Sequence, residues 1–292
     1  MLAETSCGQG QTCTQPPHPM AKIPAKVESR IKEALRRFQP VVEQAKARDV
    51  GEADTSTLVK DILAELFGYD KYSEITAEYQ IKSTYCDLAM KVDGKLAVLV
   101  EVKALNTELK EQHIKQAVDY AANQGVEWVI LTNAQNWQVY RVTFAQPISH
   151  ELLMNLQFGA LSSKSDADLE SLFLLSREAQ GKSLLDEYHE QRMALSRYSV
   201  GAVVLSEPVL AVLRRELKRM SPDVRIEIEE IERVLVEELL KRDVLEGDKA
   251  IEAKRRLSKA AAKLLRKADK DEPAAAPPPS AAPVVGAATP TG

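Results

Sequence analysis

Three short runs restrict this chain more than any other feature: EITAEYQI (74–81), YCDLAMKV (85–92) and LAVLVEVKA (96–104), with Asp93-Gly94 between the last two. Rich in β-branched, aromatic and apolar residues, they read as strands. An Asp-Gly pair readily supplies the two left-handed residues of a tight hairpin, so the second and third runs should lie antiparallel and adjacent. A helix is expected over 111–124, where Ile114, Ala117, Val118 and Ala121 share one face, followed by strands at 126–132 and 137–143 joined by Asn-Ala-Gln-Asn. Upstream, Leu58, Ile62, Leu66 and Phe67 form the apolar face of a helix that Asp54 or Thr55 could cap and Gly68 would end. The order α-β-β-β-α-β-β predicts a mixed sheet flanked by helices, an α/β domain over residues 51–160.

The flanks have a different character. Residues 1–20, rich in Gly, Gln, Thr and Pro, and residues 271–292, an Ala/Pro tail, show no apolar periodicity and are expected to be disordered. Residues 21–50 predict N-terminal helices, with Val27, Ile31, Leu35 and Phe38 at helical spacing and Pro40 as a break or kink. Residues 161–270 predict an all-α C-terminal region. No apolar stretch is long enough to span a membrane, and the first residues lack the basic and apolar regions of a secretory signal. Cys7, Cys13 and Cys86 are too few for a disulfide framework. These features point to a cytoplasmic protein. The net charge of -4 argues against a uniformly basic surface, but not against local binding of nucleic acid.

Chemistry concentrates in the hairpin. Residues two apart in a strand share a face, so Glu101 and Lys103 should emerge together, with Asp87 brought alongside by the neighbouring strand. Two carboxylates and an amine at one sheet edge, within apolar strands, are costly unless paired or bound to metal. Two carboxylate ligands suit Mg²⁺ (or Mn²⁺), leaving positions for waters and a phosphate oxygen. Glu-x-Lys alone says little, since it also begins at Glu108, Glu216 and Glu252. Only Glu101 stands in a run typical of a buried strand. The competing reading is an edge strand carrying solubilising charge.

Residues 50–145 resemble the N-terminal nuclease domain of type I restriction enzyme R subunits, a branch of the PD-(D/E)xK superfamily. The matching pieces are GEADTSTLVKDILAELFGYD, EITAEYQI, YCDLAM, LVEVKA, HIKQAVDYA and WVILTNAQNWQVYRV. The resemblance implies a restriction-endonuclease-like fold and Mg²⁺-dependent hydrolysis of DNA phosphodiesters. It places Asp87, Glu101 and Lys103 at the core of the site, with Asp87 and Glu101 as metal ligands. It adds Gln116 and Tyr120 as a helix motif that could contact DNA, and Glu52 as the acid of the first helix. Each added residue has a plainer explanation: Glu52 favours its helix N-terminus, and Gln116 and Tyr120 can be a packing pair. The proline that often precedes the first Asp is Cys86 here. Full R subunits also carry an ATP-driven translocase, for which this chain is too short. Ser176–Ser183 lacks the first glycine of a phosphate-binding loop, so no ATP site is expected.

Residues 249–267 hold eight basic side chains (Lys249, Lys254, Arg255, Arg256, Lys259, Lys263, Arg266, Lys267) against one acid, Glu252. An apolar seam of Leu257, Ala261, Leu264 and Leu265 favours packing over phosphate contact for this helix. Long apolar stripes (Val209, Leu210, Leu213, Leu217; Ile228, Ile231, Leu235, Leu239) suggest a homodimer through residues 161–270. Three functions remain open on this reading: a DNA-cutting enzyme, a non-catalytic DNA-binding or assembly module that keeps the fold, and a helical interaction protein.

Overall fold

A computed structural model describes residues 22–81 and 84–271. The disorder expected of residues 1–20 and the Ala/Pro tail, and the readings of Cys7 and Cys13, concern residues outside that range. The chain divides after Arg192 into two compact units.

The first unit opens with α1 (Ala25–Ala47) and α2 (Glu52–Glu65), followed by β1 (Ile75–Ile81), β2 (Thr84–Val92) and β3 (Lys95–Val102). Then come α3 (Glu111–Gln124), β4 (Trp128–Thr132), β5 (Asn136–Thr143) and β6 (Ser149–Gln157), and α4 (Asp166–Leu174), α5 (Arg177–Gln180) and α6 (Leu184–Ala194) close the series. The six strands form one sheet in the order β1-β2-β3-β4-β5-β6. All neighbours are antiparallel except β3 and β4, which α3 joins as a parallel crossover. The mixed sheet flanked by helices, followed by a helical C-terminal region, is the architecture the sequence predicts.

Each face of the sheet has its own core. Val98, Val100 and Val102 of β3 face the cluster that also contains α1, α2 and α4 residues. Leu99 faces the smaller cluster with Ile114, Ala117, Val118 and Ala121 of α3. Covered on both sides, β3 carries the nearly continuous apolar run expected of a central strand. The turn between β2 and β3 is the expected hairpin: Asp93 and Gly94 both have positive φ, at 51° and 78°.

Several elements differ from expectation, each for a local reason. Helix α1 runs unbroken through Pro40, whose ring faces solvent, while Phe38 and Val42 on either side are buried. Water can satisfy the carbonyl left without a donor, and core burial outweighs the helix-breaking tendency. Helix α2 starts earlier than predicted, with Gly51 as its N-cap and Glu52 as its first residue. Past its C-terminus, Gly68 has a φ of +83°, and a Cβ there would sit 2.5 Å from the Arg30 guanidinium. That guanidinium needs the space to bond the carbonyls of Leu66 and Phe67. Strand β6 was not foreseen. SHELLMNLQ lacks β-branched residues and contains good helix formers. Pairing along β5, from Asn136–Gln157 to Thr143–Ser149, makes it a strand.

The change to helical composition near residue 161 is not where the units divide. Leu169, Leu172, Phe173, Leu185 and Tyr188 all belong to the main sheet core. The second unit contains α7 (Arg197–Val204), α8 (Glu207–Met220), α9 (Ile228–Val234) with a π-helical turn at Leu235–Leu239, α10 (Arg242–Leu245) and α11 (Asp248–Asp271). Its core is small: Leu210, Ile231 and Leu235 are buried together, with Leu213 and Ile228 packed against them. Much of both predicted stripes is used within the unit, while Leu217 and Leu239 stay exposed.

Candidate active site

The site lies where the β2–β3 ladder stops. The last register pair on that side is Leu88 with Val100. Beyond it, the Val102 amide donates to the Asp87 carboxylate at 2.7 Å instead of to a strand carbonyl. One side chain therefore ends the ladder and is fixed at its mouth. On the other flank of β3 the sheet continues, with Glu101 opposite Leu131 and the Lys103 amide donating to the Thr132 carbonyl at 2.9 Å. Glu101 is thus on an interior strand. The edge-strand reading of its charge is excluded, and the cluster lies at the end of central strands rather than along a sheet edge.

Glu101 is only 1% exposed. Its Oε1 accepts from the Lys103 ammonium at 2.8 Å, whereas Oε2 is buried with no hydrogen-bond partner among the described residues. Such an orphaned carboxylate oxygen costs stability unless it gains a proton or a cation. Burial pushes the Glu101 carboxyl up to about 7; the Lys103 hydrogen bond opposes the rise, and the nearby Asp87 and Glu52 charges add to it. Asp87 is also raised, chiefly by burial, against the pull of the Val102 amide and Lys103. Burial alone would lower Lys103, but its bond to Glu101 and the surrounding carboxylates hold it above the usual lysine value.

Glu52 approaches Lys103 at 3.7 Å from the first turn of α2 and is about half exposed. Four predicted residues, Glu52, Asp87, Glu101 and Lys103, therefore come together from three elements. When all are ionised, three carboxylates share one ammonium. No group of three or more His, Cys, Asp or Glu side chains arranged to hold a metal is present among the described residues.

Gln116 and Tyr120 stand differently. Both are on α3, one turn apart, and the Gln116 amide donates to the Tyr120 hydroxyl at 2.8 Å. Tyr120 is buried in the α3-side core and Gln116 is exposed. No hydrogen bond or ion pair joins either to the carboxylate cluster among the described residues. Sequence reasoning gave His113 no role, yet the Lys103 charge reaches it. Burial first, then Lys103 and Lys110, lower its pKa. Its Nδ1 accepts from the Lys110 amide at 3.2 Å. No motif around His113 signals this placement; only the docking of α3 beside β3 creates it. Cys86, at the position of the missing proline, turns its thiol toward the Leu88 and Val100 carbonyls and is pushed up to about 12, mainly by burial. It is a packed, inert thiol.

Residues 57–154 match the family model of the type I restriction enzyme R protein N terminus (HSDR_N), a span covering about a third of the chain. The matched span contains Asp87, Glu101, Lys103, Gln116 and Tyr120, and Glu52 precedes it. No curated protein and no solved structure matched the chain. Among the described residues no helix is long and apolar enough to cross a membrane.

Proposed function

We propose, with the family match of the sheet as the premise, that the first unit is a metal-dependent nuclease of the PD-(D/E)xK type that hydrolyses DNA phosphodiester bonds. One observation carries the reading: a buried carboxylate, Glu101, with one oxygen on Lys103 and the other without a partner, beside Asp87. Hard oxygen donors and surplus negative charge fit Mg²⁺ or Mn²⁺. Glu101 through Oε2 and Asp87 through the oxygen not bonded to Val102 would hold the ion. With only two protein ligands, water and phosphate oxygens would complete its shell. Once bound, a dication lowers the pKa of a coordinated water and offsets charge on the phosphoryl group.

The remaining work falls to side chains already in place. The Glu101–Lys103 hydrogen bond aims the ammonium, which can orient the attacking water or stabilise charge on the leaving oxygen. Glu101 chiefly holds Lys103 above the usual lysine value against its burial, and Glu52 adds to this from the more exposed side. As the water oxygen bonds to phosphorus, the scissile P–O bond breaks and the leaving oxygen takes up a proton. Gln116, exposed near the start of α3, offers an amide to a backbone phosphate if it exchanges Tyr120 for DNA.

The deciding assay incubates the purified protein with supercoiled and linear DNA in Mg²⁺, Mn²⁺ or EDTA. Cleavage is expected with either metal and not with EDTA. Glu101→Gln should reduce it by about a hundredfold or more, while DNA affinity changes little. Binding without cutting under every metal condition would instead support a non-catalytic DNA-binding or assembly module that retains the fold.

A further inference from the structure

We infer that α11 is a docking face for the phosphate backbone of duplex DNA. The inference takes its choice of polyanion from the nuclease reading of the sheet unit; its physical basis lies in the second unit alone. Lys254, Arg255, Arg256, Lys259 and Lys263 are all exposed. Among the described residues, the unit's ion pairs are Arg197–Asp243, Arg214–Glu227, Arg215–Glu216, Arg219–Glu216, Arg225–Glu227 and Arg242–Glu246. None of them, among the described residues, uses these five cations. Those arginines have carboxylate partners near or distant in sequence, whereas Arg255, Arg256, Lys259 and Lys263 cluster on one side of α11, with Glu252 the one acid of the helix within a turn of Arg255 and Arg256. Such crowding is unfavourable until a polyanion neutralises it.

The arrangement is ordered. Arg255, Lys259 and Lys263 recur at four-residue steps, about 6 Å apart along the axis, and Arg256 flanks them on the same side. The positive charge therefore runs as a stripe along the helix rather than sitting at one point, as contact with several phosphates of one strand requires. The opposite side of the helix is committed to the unit itself: Ala250 and Ala253 are buried, and α11 packs on α7. Packing thus fixes the start of α11 through Ala250 and Ala253, and every side chain from Ser258 to Lys263 is exposed, which leaves the cations open to a polyanion. A membrane surface fits less well, because insertion needs large apolar and aromatic side chains beside the cations. Here the exposed neighbours are mainly Ser258, Ala260 and Ala262, and Ile251 is the one large apolar side chain of α11 well exposed among the described residues.

The test measures binding of a fluorescent random-sequence duplex to the full chain in EDTA, as a function of salt. Replacing Arg255, Arg256, Lys259 and Lys263 together with Gln should weaken binding at 0.1 M salt by about thirtyfold or more. It should also lower the slope of log affinity against log salt by about 3, since each phosphate contact contributes about 0.9. Glu252→Gln, which leaves every cation in place, should strengthen binding severalfold, and it keeps the inference testable if the fourfold variant folds poorly. An unchanged slope in the fourfold variant, or no gain from Glu252→Gln, overturns the inference. So does a fourfold variant that keeps duplex affinity but loses binding to vesicles containing phosphatidylserine, or changes only its self-association. Cleavage by Glu101→Gln reports on the sheet site and duplex binding in EDTA reports on α11, so either reading can fail without the other.

Discussion

The two units handle charge in opposite ways. In the sheet unit, Glu101 is buried in the middle of the sheet with one oxygen unsatisfied, inside a fold that has an extensive core on both faces. In the helical unit, three residues form the centre of a small core, and the cations of α11 stand in solvent. A buried carboxylate with one oxygen unsatisfied is tolerated only where much apolar burial offsets its cost. Exposed cations need no such support, because water solvates them and salt screens their repulsion. The first arrangement suits chemistry at a fixed point; the second suits loose contact with an extended polyanion.

The sharpest break between the units should appear in catalysis. Lys103→Ala is expected to lower metal-dependent cleavage by about a hundredfold or more, through loss of the group that orients water or steadies the leaving oxygen. Because a cation is lost, DNA affinity should fall modestly. Rates equal to wild type in single-turnover assays would show that the cluster is not the site.

Stability gives the next comparison. Trp137 is fully buried in the sheet core and stacks edge-on against Phe67 at 5.5 Å. Trp137→Ala should cost about 3–5 kcal/mol in urea denaturation. Leu239→Ala, at a position 68% exposed in the helical unit, should change stability by about 0.5 kcal/mol or less. A larger loss for Leu239→Ala would indicate that a second copy covers it. Light scattering at micromolar concentration tests the proposed homodimer through residues 161–270 directly, and a strict monomer would argue against it.

A smaller effect should appear with pH. The Glu101 carboxyl titrates near 7 in the folded chain, against about 4.5 when unfolded. The folded state therefore binds more protons between those values. This contribution to stability is complete below about pH 4.5 and is lost as pH rises through 7. In EDTA, wild type should lose on the order of 2 kcal/mol relative to Glu101→Gln between pH 5 and pH 8. Mg²⁺ at pH 8 should restore part of that difference by replacing the proton. Parallel pH profiles for the two proteins would show that Glu101 is not held as a strained acid.

The order of elements, the Asp93-Gly94 turn and the shared face of Glu101 and Lys103 could be read from the sequence alone. They rest on strand alternation and turn chemistry, which act within a few residues. The hairpin likewise brought Asp87 alongside them, and the family pattern added Glu52, Gln116 and Tyr120 as candidates, without a geometry for any of the three. Packing and long-range pairing decided the rest. Glu52 reaches Lys103 because α2, capped by Gly51, starts at Glu52, and Asp87 takes the Val102 amide because the β2–β3 ladder ends at Leu88–Val100. Gln116 holds Tyr120 rather than the cluster, and β6 is a strand only because β5 presents an open edge to it. Local sequence sets which way neighbouring side chains point. Burial of Glu101, and with it the orphaned oxygen that defines the site, depends on what distant segments place around it.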